Sequence, residues 1–117
     1  MMLINQLARR SGVSTRALRH YDRLGLLSSR RLANGYRDFD ELAVEEVRRI
    51  RLLLEIGLGL QAVSQLLPCF APDGALTACP TARERLRGQI RELDRSIAEL
   101  ERTRGLLSGT LEQLVEA

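Results

Sequence analysis

The chemically able side chains of this sequence are two thiols and a field of guanidinium groups. Cys69 and Cys79 are its two cysteines, and both fall in PCFAPDGALTACP, residues 68–80, which also holds all three prolines. Nine residues between them allow closure into a disulfide or into a two-thiolate site for a soft metal ion. Cys79 directly precedes Pro80 and the start of a long helical pattern. A helix N-terminus lowers a thiol's pKa and favours the reactive thiolate, although a free cysteine is often only a small buried hydrophobe. All eighteen basic residues are arginine, the side chain suited to phosphate forks and planar base-edge contacts. Residues 1–37 carry eight arginines against one acid, Asp22, a local balance of +7; residues 38–117 carry ten against fourteen acids, −4. On a chain of net charge +3, that asymmetry points to a polyanion contact near the N-terminus. His20, the single histidine, has no Cys, second His or close carboxylate pair on its helix face to complete a metal site. It also has no nearby nucleophile with an orienting acid, and no Gly-rich phosphate loop is present, so an enzyme is not expected.

The elements that must position these groups follow from capping and periodicity. A 117-residue chain suits one compact domain with one appended element. With four aromatic residues and no Trp, a large aromatic-lined ligand cavity is hard to build. No signal peptide or membrane-length apolar run is visible, so a cytoplasmic protein with reduced thiols and no membrane partner is expected. Asn5 is placed to cap a short helix with Leu7 and Ala8 inward, ended by Ser11-Gly12. Ser14 caps a second helix from Thr15 to about Leu24, closed by Gly25. Ala17, Leu18, Tyr21 and Leu24 form its inner stripe, while Arg16, Arg19, His20 and Arg23 point away. Two short helices around a tight Gly-containing turn, the second one basic, form a helix-turn-helix pattern. RRLANGYRDF, residues 30–39, then predicts a hairpin turning at Asn34-Gly35, both at positive φ, flanked by Arg30, Arg31 and Arg37. Asp40 can cap a third helix, Glu41 to about Ile56, with Leu42, Val47, Ile50, Leu53 and Leu54 apolar and Gly57 as its stop. A fourth helix covers Leu60–Leu67. Residues 68–80 read as a loop and a domain boundary.

From Thr81 onward the apolar residues recur as a heptad: Leu86, Ile90, Leu93, Ile97, Leu100, then Leu107, Leu111 and Leu114. Arg104 occupies the seam position between Leu100 and Leu107. A helix over 81–117 would span about 55 Å at ~1.5 Å per residue, and its seam has no partner in its own chain. A coiled-coil homodimer is the economical answer, even though Gly88 and Gly105 weaken the helix.

Taken in this order, INQLARRSGVSTRALRHYDRLGLLSSRRLANGYRDFD resembles the DNA-binding domain of the MerR family of bacterial transcription regulators. LLLEIGLGLQAVSQLL resembles the helix pair that precedes that family's dimerisation helix. The resemblance covers residues 2 to about 67 closely and 81–117 by architecture. It implies an all-α dominated fold: a winged helix-turn-helix head over 1–67 with a small β-hairpin wing, a cysteine-containing hinge loop over 68–80, and a dimerisation helix over 81–117 that pairs as an antiparallel coiled coil. The contact positions it implies are Thr15, Arg16, Arg19, His20, Tyr21, Tyr36 and Arg37. The second helix would enter the major groove, Arg37 would fork a phosphate, and Tyr36 would be partly buried to fix the wing's angle. Two departures stand out: His20-Tyr21 replaces the usual Tyr-Tyr, and Gly59 replaces a Ser or Thr cap.

Family members bind a promoter spacer as dimers and distort it so that RNA polymerase meets realigned promoter elements. The partners implied are therefore double-stranded DNA at a near-palindromic site, a second copy of the chain, and RNA polymerase. The place of Cys79 resembles that of a Cys or Ser near the effector pocket of the family's soft-metal sensors, although the further cysteine loop after the dimerisation helix is not expected here. The alternative implied by the same fold is a protein-binding adaptor resembling the chaperone modulators. The wing and the arginines of the second helix argue for DNA, and a salt-dependent shift of duplex DNA would discriminate between the two.

Overall fold

The computed structural model describes residues 2–116. The chain forms α1 (Ile4–Ser11), α2 (Thr15–Arg23), β1 (Ser29–Arg31), β2 (Arg37–Phe39), α3 (Leu42–Glu55), α4 (Leu60–Leu66), a 3-10 turn (Leu67–Cys69) and α5 (Pro80–Glu112). Gly12, at φ 75°, makes the tight turn between α1 and α2, and the Ser14 hydroxyl accepts from the Ala17 amide at 3.1 Å to start α2. Leu7, Leu18 and Tyr21 turn inward. Asn5 does not cap α1. The helix begins at Ile4, two residues earlier than an Asn5 cap requires, and the free Leu3 amide donates to the Gln6 side chain at 2.9 Å. Leu24 also departs from the expected stripe: α2 stops at Arg23, and Leu24 is exposed.

The hairpin is antiparallel, with Ser29 opposite Phe39 and Arg31 opposite Arg37. Its turn differs from the expected Asn34-Gly35 pair. Gly35 donates to the Leu32 carbonyl at 3.0 Å and Leu32 donates to the Tyr36 carbonyl at 2.7 Å, so the loop is Ala33–Asn34–Gly35. Gly35 takes φ 87°, while Asn34 stays at negative φ and uses its side-chain oxygen to accept from the Tyr36 amide at 3.1 Å. This is the three-residue hairpin in which glycine supplies the one left-handed position. Met2 bridges Phe39 through amide–carbonyl bonds of 3.1 and 2.7 Å, which ties the base of the wing to the chain start and seats Phe39 in the core.

Asp40 caps α3 by accepting from the Leu42 amide at 3.0 Å. Leu42 itself is exposed, because it lies at the edge of the apolar arc; Ala43 takes the inner place with Val47, Ile50 and Leu53. Gly57 ends this stretch at φ 95°, and α4 contributes Ala62, Val63 and Leu66 to the same core.

Residues 68–80 are ordered. Phe70 bridges Leu76, Gly74 donates to the Ala71 carbonyl at 2.9 Å, and Ala71 donates to the Ala75 carbonyl at 2.8 Å. Asp73 accepts from the Ala75 amide at 3.0 Å, and Gly74 takes φ 89°. This miniature hairpin repeats the design of the wing loop, with Pro72–Asp73–Gly74 in place of Ala33–Asn34–Gly35. The Arg49 guanidinium of α3 lies 5.3 Å over the Phe70 ring and donates to the Ala71 carbonyl at 3.3 Å.

The chain divides into two compact units, Met1–Ala82 and Arg83–Ala117. The segment expected as a hinge thus belongs to the first unit, and Ala82 is buried in its core. The 33 residues of α5 amount to about 50 Å of helix. It runs unbroken through Gly88 and Gly105 and stops before Leu114. Among the described residues no helix is long and apolar enough to cross a membrane.

Candidate nucleic-acid interface and thiol pair

Three residues apart on α2, Arg16 and Arg19 share one face, and both are exposed together with His20. Among the described residues neither arginine has an ion-pair partner. Thr15, the first residue of α2, is half-buried. Tyr21 is 8% exposed, so its ring belongs to the core and its share in any interface is to set the angle of α2.

The wing stands beside this face. A cleft of about 350 Å³ separates the start of α1, α2 and the hairpin, and Arg19, Asp22, Tyr36 and Arg37 line it together. Tyr36 corrects the expectation of partial burial. It is 66% exposed, because it follows the left-handed Gly35 at the tip and nothing packs over it. The wing's angle is fixed by charge instead. The Arg37 guanidinium forks onto Asp22 of α2 through Nε at 2.9 Å and one terminal nitrogen at 3.1 Å, and it also donates to the Ser29 hydroxyl at 2.7 Å. Ser29 in turn donates to Asp22 at 2.6 Å. Asp22, Ser29 and Arg37 form a closed triad joining the second helix to the wing. Asp22 and Ser29 were not among the expected site residues; the available signal was that Asp22 is the one acid in a strongly basic third of the chain. The arrangement thus offers unpaired cations on a protruding helix and a wing held at a set distance from it, the two elements needed to straddle a duplex backbone and reach base edges.

The second site is the thiol pair. The bridge between Phe70 and Leu76, with Thr77 donating its amide to the Cys69 carbonyl at 2.9 Å, brings the Cys69 and Cys79 sulfurs to 2.7 Å. Cys79 occupies the capping position of α5: its sulfur accepts from the Ala82 amide at 3.3 Å. The hydrogen bond from Cys69, followed by the backbone amides at the helix start, holds the Cys79 thiol below its ordinary pKa. The same sulfur contact pushes Cys69 up. Both residues are half-buried and both are free thiols. One tetrahedral ion held by both sulfurs at ~2.3 Å would separate them by about 3.8 Å. The two sulfurs are the whole donor set at this place: among the described residues no group of three or more His, Cys, Asp or Glu could hold a metal.

Comparison with known proteins agrees with this architecture. The family described as MerR HTH family regulatory protein matches residues 2–68, and that described as MerR, DNA binding matches residues 44–110. The HTH-type transcriptional regulator HmrR of Rhizobium leguminosarum bv. viciae is 31% identical over 99% of this chain and 85% of its own length. The transcriptional regulator BrlR of Pseudomonas aeruginosa is 36% identical over 92% of this chain but only 42% of its own length, so the chain spans less than half of some relatives it matches. Among solved structures, MtaN, the N-terminus of the Bacillus subtilis multidrug transporter activator, superposes with a TM-score of 0.72 at 27% identity, covering 95% of this chain and 98% of that one. HiNmlR, a MerR family regulator lacking the sensor domain and bound to promoter DNA, superposes with a TM-score of 0.55 at 27% identity, covering 95% and 83%. The two family models together cover residues 2–110, and the chain belongs to the MerR family of helix-turn-helix regulatory proteins.

Proposed function

We propose that the chain binds a near-palindromic promoter site on double-stranded DNA as a homodimer and regulates transcription there. The observation that carries this reading is the pair of unpaired arginines, Arg16 and Arg19, on the exposed face of α2 beside a wing clamped by Asp22 and Arg37. Arg16 and Arg19 would read base edges in the major groove, with Thr15 and His20 at its margin. Tyr36 at the wing tip would meet the flanking backbone; Arg37, whose fork is taken by Asp22 and Ser29 rather than left for a phosphate, would offer the backbone at most its remaining terminal nitrogen. The exposed seam of α5 (Ile90, Leu93, Ile97, Leu100, Leu107 and Leu111, with the half-buried Leu86 at its start) would be covered by a second copy, arranged as an antiparallel coiled coil. Arg104 would be the polar position that fixes register at some cost in stability. Distorting the DNA between two heads costs about 1–6 kcal/mol. The dimer must recover that from contacts, and RNA polymerase would read the distortion.

In this reading Cys69 and Cys79 are the effector-responsive element. Two sulfurs this close can capture a soft ion or form a disulfide. Among the described residues no side-chain observation favours a protein-binding adaptor.

Selection of duplexes from a random pool by the reduced protein tests the proposal. The expected result is enrichment of one inverted-repeat sequence whose half-sites require two heads. Recovery of the unselected pool at every round would refute it.

A further inference from the structure

We infer that Cys69 and Cys79 are a paired modification site for hydroperoxides, with Cys79 the attacking sulfur, Cys69 the resolving sulfur, and an intramolecular disulfide the product. The inference rests on the reading of this hairpin as the responsive part of a DNA-binding regulator, and it assigns what that reading leaves open: the oxidant class and the role of each sulfur.

Geometry carries the assignment. The two sulfurs are in direct contact, 2.7 Å apart, so a small side-chain rotation suffices to reach the ~2.05 Å of a disulfide bond. The ten-residue step from Cys69 to Cys79 is held closed by backbone, through the Phe70–Leu76 bridge and the Thr77–Cys69 hydrogen bonds. Closing the bond therefore needs little chain ordering beyond what is already present. The two sulfurs differ in surroundings. Cys79 caps α5, facing the Ala82 amide in the positive end of the helix. Cys69 ends the 3-10 turn, and its contact with the partner sulfur holds its proton on. The Cys69 S–H, followed by the backbone amides at the start of α5, favours the thiolate at Cys79.

The chemistry balances in two steps. The Cys79 thiolate attacks the outer oxygen of the hydroperoxide, the O–O bond breaks, and the alcohol leaves with a proton from solvent; Cys79 becomes a sulfenic acid. The Cys69 sulfur then attacks the Cys79 sulfur. An S–S bond forms, the S–O bond breaks, and hydroxide leaves as water with the proton of Cys69. Two thiols lose two electrons, and the hydroperoxide becomes alcohol and water. The product replaces a thiolate at the N-terminus of α5 by a neutral disulfide sulfur, a weaker acceptor for the Ala82 amide. It also locks the hairpin that α3 holds through Arg49.

The test treats the full reduced chain with hydrogen peroxide and follows maleimide labelling and intact mass. Wild type should pass from two labelled thiols to none, lose two hydrogens, stay a single chain on denaturing gels without reductant, and recover with dithiothreitol. Cys69→Ser should stop at a sulfenic acid on Cys79 that dimedone captures, whereas Cys79→Ser should react about tenfold more slowly. A disulfide between two chains, a faster-reacting Cys69, or thiols that survive peroxide sufficient to oxidise free cysteine would each overturn the assignment. Duplex binding by the reduced protein is measured alongside. Binding without disulfide formation overturns this inference alone, whereas disulfide formation without binding overturns the regulator reading and leaves the thiol assignment standing.

Discussion

The first unit, Met1–Ala82, has a core covered by the chain itself: Leu7, Leu18, Val47, Ile50, Val63 and Leu66 have no exposed surface. In the second unit the stripe from Ile90 to Leu114 is bare. Ile97 is 52% exposed and Leu100 70%, although both sit on the same heptad stripe. Charge differs in kind. Along α5, Arg91 and Arg95 find Glu84 and Glu92, whereas Arg16 and Arg19 on α2 find no ion-pair partner among the described residues. The first unit closes its core and leaves a bare cationic face on α2; the second leaves a bare apolar stripe on α5. In the proposed function a polyanion would cover the one and a second copy of the helix the other.

Substitutions should separate the two regions. The largest effect on folding belongs to the finished core: Phe39→Ala should cost about 3–5 kcal/mol in denaturant unfolding, and a loss under 1 kcal/mol would contradict its place at the base of the wing. A charge in the bare seam should act on assembly instead. Ile97→Asp should turn a dimer into a monomer by light scattering and leave the unfolding midpoint of the first unit unchanged. A dimer that survives it would move the interface elsewhere. Leu100→Ala, in the same stripe, should change the stability of the first unit by less than about 0.5 kcal/mol.

Smaller effects probe the clamps. Asp22→Asn removes the carboxylate that holds Arg37, and because the Arg37 side chain is 35% exposed the cost should be only about 1 kcal/mol. Amide exchange confined to residues 29–39 should rise, and exchange that rises equally across α3 would show that the triad supports the core rather than the wing. The thiols should differ in pH dependence. Cys79, with its pKa lowered first by Cys69 and then by the Ala82 amide, should alkylate with a midpoint below the ordinary ~8.5 of a thiol, losing reactivity as pH falls through that lowered value. Cys69, raised by the same contact, should lose its reactivity at higher pH. Two equal midpoints would contradict the capping role.

Much of this was legible in the sequence where the signal is local. Ser14 capping α2, and Gly12, Gly25 and Gly57 ending their segments at positive φ, follow from single-residue chemistry. The seam of α5 follows from its spacing. Turn geometry was less legible. Asn34-Gly35 signals a hairpin, yet a two-residue and a three-residue loop share that signal, and only the Leu32–Tyr36 pairing decides between them. Pro72-Asp73-Gly74 carries a turn signal of the same kind, masked in the sequence by the surrounding prolines, which read as loop. What could not be read were contacts across many residues. The Arg37–Asp22 fork spans 15 positions, and the meeting of the two sulfurs depends on a bridge between Phe70 and Leu76 that no periodicity announces. Tyr36 was misplaced for a related reason, since its burial depended on a neighbour that the wing tip does not supply.

The proposed contact between the bare cations of α2 and DNA is tested by a titration of the selected duplex, labelled and followed by anisotropy at several salt concentrations, with wild type and Arg19→Ala. Wild-type affinity should fall steeply with salt, as counterion release requires. Arg19→Ala should lose about 1–3 kcal/mol on the selected site and little on an unrelated duplex. Equal affinity of the two proteins for the selected site, or wild-type binding that does not respond to salt, would contradict the claim.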